Sequence, residues 1–212
     1  MQDFTNETII WDDNVVTHRS DAFSGIEETE HRGKRVRAFA DRPESLFELF
    51  ASAVTEAPDR EFVVFPDSGV RLTYREMADR VDRLAGGLQS AGISMGDRIV
   101  LLVDSRVEFV ESLLAAARIG AVVSPLNTRH SPEEIRGMFA DGAPDLVLVG
   151  DAYVDKLDGS AYETPTSATF VLDADSTEQS YDGLVSHTRR DVEESATKPA
   201  DLLTVMYTSG TT

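Results

Sequence analysis

The last five residues of the chain have side chains and a backbone suited to holding an anion. They follow an apolar run, Leu202 to Tyr207, and four of the five carry hydroxyl groups: Thr208, Ser209, Gly210, Thr211 and Thr212. Gly210 can adopt a positive φ angle, which allows consecutive backbone N–H groups to point into one concavity that fits phosphate oxygens. A Ser/Thr turn after a strand is more often only a turn, so these residues alone leave both interpretations open.

Other kinds of chemistry find little support in the sequence. No cysteine is present, and the histidines share no metal-ligand spacing: His18, His31, His130 and His187. Neither the G-x-S-x-G nucleophile turn nor the G-x-G-x-x-G dinucleotide motif occurs, and the GK[ST] ending of a Walker loop is absent. Acidic pairs such as Glu27–Glu28 fit solvated surface better than a catalytic cleft. The terminal loop is therefore the main candidate site.

The charge balance restricts the partners of the protein. The chain has 38 acidic and 20 basic residues, for a formal net charge of −18. Nucleic acids and anionic membrane surfaces both need clustered Lys and Arg, so neither is expected as a partner. Only three of the basic residues are lysines, and this composition resembles that of proteins from salt-loving archaea, although an ordinary acidic protein is the alternative. It predicts a folded state that is more stable in molar KCl than in dilute buffer.

Targeting signals are not expected. The N-terminal sequence MQDFTNETIIWDD lacks the basic start and apolar core of a signal peptide. No apolar stretch reaches the roughly 20 residues that a membrane-spanning helix requires. The sequence predicts no membrane span and a location in the cytoplasm.

Helix-start signals recur along the chain from about residue 45. Four S/T-x-x-E capping boxes begin at Ser45, Thr73, Ser105 and Ser131, each followed by apolar residues at helical spacing. Pro132 strengthens the last of them, because proline is favoured at the first helical position. The pattern predicts helices at about residues 45–56, 74–91, 106–119 and 132–140.

Short apolar, β-branched runs lie between these helices. They are EFVVF from Glu61, RIVLLV from Arg98, AVVS from Ala121, DLVLVG from Asp145 and TFVLD from Thr169, and LLTVMY from Leu202 is predicted as a further strand. A PDSG turn predicts a hairpin from EFVVF into VRLT. Alternating strands and helices predict an α/β fold, with a mostly parallel, doubly wound sheet covered by helices on both faces.

The chain is expected to have two parts. Residues 1–43 are polar without sustained periodicity and are interpreted as an N-terminal extension, packed on the surface or partly mobile. Residues 44–212 form the α/β domain. Within it, residues 151–201 are acidic and are interpreted as a surface excursion that contains TFVLD as an isolated strand.

Several motifs resemble the adenylate-forming, AMP-binding superfamily of acyl-CoA synthetases, aryl ligases, luciferases and peptide-synthetase adenylation domains. YTSGTT resembles the phosphate loop of that family, and LTYREM resembles its L-[ST]-Y-x-E-L helix start. Leu88 to Asn127 resembles the following block, with a G-x-x-x-G-D-R-V turn and a G-A-V-x-x-P-L-N end. TRHSPEEI resembles the step x-R-x-[ST]-P-x-E-[LI]. The resemblance runs from about Ser45 to Thr212 in the order of the family.

The resemblance implies a function. Enzymes of this family attack the α-phosphate of ATP–Mg²⁺ with a carboxylate, release pyrophosphate, and pass the acyl group to a thiol, usually that of coenzyme A. It implies that Thr208 to Thr212 hold the β- and γ-phosphates. Within the family, four positions look more like the fatty acyl and related carboxylate–CoA ligases than the peptide synthetases: Asn127, Arg129, Pro132 and Glu133.

The remaining motifs of the family lie beyond position 212. The adenine and ribose motifs, the magnesium-binding acid, the acyl pocket and the catalytic lysine cannot be assigned to residues of this chain. The chain is therefore expected to be the N-terminal portion of a longer ligase, inactive by itself. Two alternatives remain open, a complete non-catalytic α/β binding module and a regulatory fragment that pairs with a full-length ligase.

Overall fold

A computed structural model describes residues 9–11, 14–16, 25–157, 169–173, 179–186, 192 and 195–208. The chain divides into two compact units, Met1–Pro43 and Glu44–Thr212. Within the described ranges, no helix is both long and apolar enough to cross a membrane.

The first unit contains two antiparallel hairpins. One pairs β1 (Ile9–Trp11) with β2 (Asn14–Val16), and the other pairs β3 (Ile26–His31) with β4 (Lys34–Phe39). The sequence analysis did not predict these strands, because the polar residues of this part show no sustained periodicity. In the second hairpin, Arg32 and Gly33 both have positive φ angles, as the favoured two-residue hairpin turn requires.

The second unit begins with a helix and a hairpin. Helix α1 (Leu46–Glu56) precedes β5 (Glu61–Phe65) and β6 (Val70–Thr73), which pair antiparallel as predicted but form a sheet of their own. Helix α2 (Tyr74–Ser90) follows directly. Its start has the complete capping box, in which Thr73 Oγ1 accepts from the Glu76 N–H and the Glu76 carboxylate accepts from the Thr73 N–H.

The centre of the unit is a four-stranded parallel sheet. Its strands are β7 (Arg98–Leu102), β8 (Val122–Pro125), β9 (Leu146–Gly150) and β10 (Thr169–Leu172), in the order β10–β9–β7–β8. The segments between the strands contain α3 (Val107–Ile119), α4 (Pro132–Gly142) and a 3₁₀ helix (Asp151–Lys156). A short helix, α5 (Tyr181–Val185), comes after β10. TFVLD is thus the edge strand of the sheet and is not isolated, which corrects the prediction.

Alternate residues of the strands enter two separate cores, one on each face of the sheet. On one face, Ile99 and Leu101 pack with buried residues of α1, α2, α3 and α5. On the other face, Val100 and Leu102 pack with Ile135 and Phe139 of α4 and with the 3₁₀ helix. Helices therefore cover both faces, and the predicted α/β class with a parallel sheet is confirmed.

The start of α3 differs from its prediction. Ser105 was expected to cap this helix, but Arg106 occupies the capping position and makes no side-chain cap bond. The Arg106 guanidinium instead donates to Glu108 at 2.7 Å and to the two carboxylate oxygens of Asp173 at 2.5 and 2.9 Å. Asp173 follows the last residue of β10, so this ion pair ties the edge strand to the start of α3.

Candidate functional site

The carboxyl ends of the four parallel strands bring polar residues to one edge of the sheet. Asp104, Asn127, Asp151 and Asp173 each lie within two residues of a strand end. Ligands of open α/β sheets bind at this edge. It is therefore the region in which a site is expected.

The apolar run from Leu202 to Tyr207 makes one parallel bridge to β8. The Val123 N–H donates to the Leu203 carbonyl at 2.9 Å, and the Val205 N–H donates to the Val123 carbonyl at 3.0 Å. At Thr204 the chain therefore runs parallel to β8, in the direction of the carboxyl edge. The prediction that Leu202 to Tyr207 forms a full strand was wrong, because these residues make only this one bridge within the described part of the chain.

The reason for the short pairing lies in β8. Toward the carboxyl edge, the next bond of the parallel ladder would run from the N–H of residue 125 to the Val205 carbonyl; toward the amino end, the N–H of residue 121 would be the next donor on β8. Residue 125 is proline and has no N–H to donate. The Ala121 N–H already donates to the Ala116 carbonyl at 3.0 Å, at the end of α3. The outer edge of β8 thus has a single usable donor for this segment.

Tyr207 gives the segment a second attachment, on α4. Its hydroxyl lies 3.1 Å from the Met138 carbonyl and 3.1 Å from Asp141 Oδ2, so it can donate to either acceptor. Partial burial, together with the Asp141 carboxylate, raises the pKa of Tyr207, so the hydroxyl keeps its proton at neutral pH. The chain is therefore held at Val205 and again at Tyr207, directly before the predicted phosphate loop.

Of the five predicted site residues, the structure describes one. Thr208 is exposed to solvent and follows the anchored Tyr207. Ser209, Gly210, Thr211 and Thr212 lie outside the described residues. Thr208 lies beyond the sheet, and its hydroxyl is available to a ligand. The assignments of the other four residues remain predictions.

Two further polar contacts at this edge were not anticipated from the sequence. The Tyr153 hydroxyl donates to Asp104 Oδ1 at 2.5 Å, and this hydrogen bond is the main reason that the pKa of Tyr153 is raised. The Lys156 ammonium donates to the Thr128 and His130 carbonyls at 2.6 and 2.9 Å. It thereby fixes the loop between β8 and α4 to the 3₁₀ helix. The scarcity of lysine in the chain is the one sequence signal that could have singled out Lys156.

A cavity of about 270 Å³ lies between the β5–β6 turn and the start of α3. Its lining includes Phe65, Val70 and Arg106, and none of residues 202–208. Because the Arg106 guanidinium is already bound to two carboxylates, the cavity offers no free cation to an anionic ligand. No group of three or more potential metal ligands occurs in the part of the chain that the structure describes.

The chain belongs to the family of AMP-binding enzymes, whose pattern matches residues 50–212. The class is thus that of the adenylate-forming domains, in agreement with the resemblance of the motifs. A long-chain-fatty-acid–CoA ligase of Mycobacterium tuberculosis, FadD13, is 32% identical over 172 residues, which cover 77% of this chain and 32% of the relative. Tyrocidine synthase 2 of Brevibacillus parabrevis is 29% identical over 180 residues, which cover 84% of this chain and 5% of that protein.

Solved structures agree with this assignment. The N-terminal domain of FACL13 from M. tuberculosis superimposes with a TM-score of 0.70 at 27% identity, covering 79% of this chain and 42% of that one. The chain spans about a third, 32%, of the length of the first of the curated relatives it matches.

Proposed function

We propose that this chain forms the first part of the adenylation domain of an ATP-dependent carboxylate–CoA ligase, and that Thr208 to Thr212 bind the β- and γ-phosphates of ATP. The observation that carries the proposal is the path of the chain into Thr208. It leaves the sheet parallel to β8 and is held by the Val205 N–H and the Tyr207 hydroxyl. A loop of small hydroxylated residues that starts from a fixed point suits an anion whose charge shifts during reaction.

The CoA-ligase branch is supported by residues that shape the turn between β8 and α4. Asn127 Oδ1 accepts from the Arg129 N–H at 2.9 Å, and Pro132 is the first residue of α4. These positions thus have definite structural roles in the turn, and they match the carboxylate–CoA ligases better than the peptide synthetases. A relative of each kind matches the chain, so the branch is part of the proposal.

When bound, ATP supplies the phosphoanhydride whose pyrophosphate is the leaving group. The residues of this chain would orient that leaving group through neutral hydroxyl and N–H donors. Mg²⁺, coenzyme A and a small carboxylic acid are the other ligands that the proposal requires. Their contacts are assigned to the part of the relatives that this chain does not span.

We propose further that residues 1–212 alone do not form an acyl-adenylate. Phosphoryl transfer places developing negative charge on the leaving oxygens, so cations must surround the phosphates. From Asp191 to Thr212 the only basic residue is Lys198, against Asp191, Glu193, Glu194 and Asp201. Neutral donors can bind pyrophosphate weakly but do not neutralise it.

A titration of the 212-residue chain with inorganic pyrophosphate in high salt tests the binding site. Amide resonances of residues 208–212 should shift, and Thr208→Val should weaken binding by roughly 3–10-fold, because one donor to a charged oxygen is lost. Thr55→Val is the control, since Thr55 is an exposed threonine of α1. Equal binding by both variants, or shifts confined to other residues, would contradict the assignment of the loop.

Exchange of pyrophosphate into ATP tests the catalytic part of the proposal. The 212-residue chain should give background exchange with any carboxylic acid. Clear exchange by this chain alone would show that the described elements suffice for catalysis and would overturn that part. A chain that neither exchanges nor binds pyrophosphate would favour the non-catalytic α/β module instead.

A further inference from the structure

The attachment of Tyr207 to α4 points to a role beyond packing. We propose that Tyr207 is a positioning residue, whose hydroxyl fixes the point from which the chain enters the phosphate loop. The functional part of this inference rests on the proposed function, because it concerns ligand binding by the loop that begins at Thr208. Its structural content, that Tyr207 orders Thr208, stands on the contacts of the described residues.

Backbone pairing of this segment with β8 ends at Val205. Beyond the Val205 N–H, the next bond of a parallel ladder would run from the N–H of residue 125 to the Val205 carbonyl. Pro125 cannot make it. Sheet hydrogen bonding therefore stops three residues before Thr208, and it cannot hold the loop entrance by itself.

The Tyr207 hydroxyl contacts α4 at a position where acceptors and space are both present. Its two acceptors, the Met138 carbonyl and the Asp141 carboxylate, lie within the last two turns of the helix. Residue 142 is glycine, and a Cβ there would lie 2.9 Å from the Tyr207 hydroxyl oxygen. A side chain at position 142 would therefore push the hydroxyl away from its acceptors.

The end of α4 is itself held in place by hydrogen bonds to Arg98. Arg98 Nη1 donates to the Gly142 carbonyl at 2.5 Å, and the Arg98 N–H donates to Asp145 Oδ2 at 2.8 Å. Arg98 is the first residue of β7, an interior strand of the sheet. The hydroxyl of Tyr207 thus connects the loop entrance to the rigid centre of the domain.

Loss of the Tyr207 hydroxyl should weaken ligand binding by the loop. A loop that is ordered only part of the time binds with an apparent Kd equal to the intrinsic Kd divided by the ordered fraction. If loss of the hydroxyl lowers that fraction to about a tenth, the apparent Kd for a phosphate ligand rises about tenfold. The contacts of the phosphate with the loop itself need not change.

The test uses ¹⁵N relaxation of the 212-residue chain without ligand, followed by titration with inorganic pyrophosphate. In Tyr207→Phe the heteronuclear NOE of Thr208 should fall to the range of a flexible backbone, while that of Val205 keeps its wild-type value. The apparent Kd for pyrophosphate should rise roughly 5–10-fold. A role in stability alone would not separate Thr208 from Val205 in this way.

Substitutions on α4 give matched controls. Gly142→Ala should lower the order of Thr208 about as much as Tyr207→Phe does. The double variant should show no larger loss of order than either single variant, because the hydroxyl that a Cβ at position 142 displaces is already absent in Tyr207→Phe. Gly137→Ala should leave both Thr208 and pyrophosphate binding unchanged, since a Cβ at position 137 meets no atom of the described residues within 4 Å.

The outcomes separate the two proposals. Unchanged order at Thr208 in Tyr207→Phe would overturn the positioning role, whatever the chain binds. Additive effects of Gly142→Ala and Tyr207→Phe would also count against it. If Thr208 loosens as expected but the wild-type chain does not bind pyrophosphate, the attachment stands and the phosphate assignment fails.

Discussion

Helices α2 and α4 cover opposite faces of the same sheet and serve different purposes. Helix α2 packs against α3 and α5, and the interface includes polar contacts, such as that of Arg80 with the buried Glu111. Helix α4 receives the hydroxyl of Tyr207 near its end. The α2 face consolidates the domain, while the α4 face supports the entrance to the proposed site.

The two helices also differ in charge. Helix α2 contains three acidic residues and three arginines, whereas α4 contains three acidic residues and one arginine. Pairing of charges is thus part of the α2 face, and a net negative charge is part of the α4 face. The difference suggests that substitutions on the two faces will have effects of different kind and size.

The largest effect is expected at Gly87, in the tight contact between α2 and α5. A Cβ at position 87 would overlap with the Leu184 backbone carbonyl, because it would lie only 2.2 Å from the carbonyl oxygen. Helix α5 would therefore have to move. Gly87→Ala should lower the free energy of unfolding by about 3 kcal/mol, as measured by urea denaturation. Gly86→Ala should instead stabilise by about 0.5–1 kcal/mol, because among the described residues its Cβ would meet only Val192, at 3.9 Å. Equal losses in both variants would contradict the close packing of α5.

The next effect concerns the Arg80–Glu111 pair. The Glu111 side chain is 1% exposed and that of Arg80 is 39% exposed, so removal of the arginine leaves a buried carboxylate without its cationic partner. Arg80→Ala should cost about 2 kcal/mol at pH 7, less than for a fully buried pair because Arg80 reaches water. Arg83→Ala is the control and should cost at most about 0.5 kcal/mol, because its partner Asp79 is exposed.

This pair also predicts a pH dependence. Burial, partly offset by Arg80, raises the pKa of Glu111 above that of an unfolded chain. A raised native pKa means that protonation favours the folded state, so its stabilisation is present in acid and is lost as the pH rises through the native pKa. The deficit of Arg80→Ala relative to the wild type should therefore shrink from pH 7 towards pH 4.5 in urea titrations. A deficit that grows in acid would show that Glu111 is not the stranded group.

The helix caps should contribute equally to the stability of the two helices, because α2 and α4 begin with the same capping box. Thr73 caps α2 and Ser131 caps α4, each in a complete capping box. Thr73→Ala and Ser131→Ala should each cost about 1 kcal/mol in denaturant unfolding. Ser105→Ala should cost close to nothing, because Ser105 does not cap α3. A substantial loss in Ser105→Ala would restore the original prediction for that helix.

The smallest effect should appear in the response to salt. Molar KCl shortens the Debye length to about 3 Å and screens repulsion among like charges. Amide hydrogen exchange should slow in both helices, and more in α4. The opening free energy of α4 should rise by a few tenths of a kcal/mol more than that of α2, because α4 has the net negative charge. Equal slowing in both helices would mean that the charge difference between the faces has no local consequence.

Most of the α/β unit could be predicted because its signals are local. The capping boxes at Thr73 and Ser131 and the apolar runs of the sheet each specify their own element. The start of α3 could not be predicted in the same way. Its capping residue, Arg106, donates to Asp173, which is 67 residues away in sequence, and no local pattern reports that contact.

The loop entrance shows the same limit. The apolar residues of LLTVMY indicate a strand, but the length of a strand depends on the donors of its neighbour. Pro125 has no N–H, so the pairing does not continue beyond the bridge at Thr204 toward the carboxyl edge. The side chain of Tyr207 reaches an acceptor 66 residues away, Asp141, and no periodicity reports such a contact. The phosphate assignment itself came from motif resemblance and stays a proposal.

Pro125 has a consequence for assembly as well. An exposed edge strand invites pairing with a strand of another molecule, which is one route to aggregation. On the outer edge of β8 any incoming strand would meet the same obstacles as the segment around Thr204, namely a proline and an N–H that is already bonded. A single bridge cannot propagate into a ladder. The residue that shortens pairing within the chain should therefore also protect this edge from extended β-sheet formation between copies.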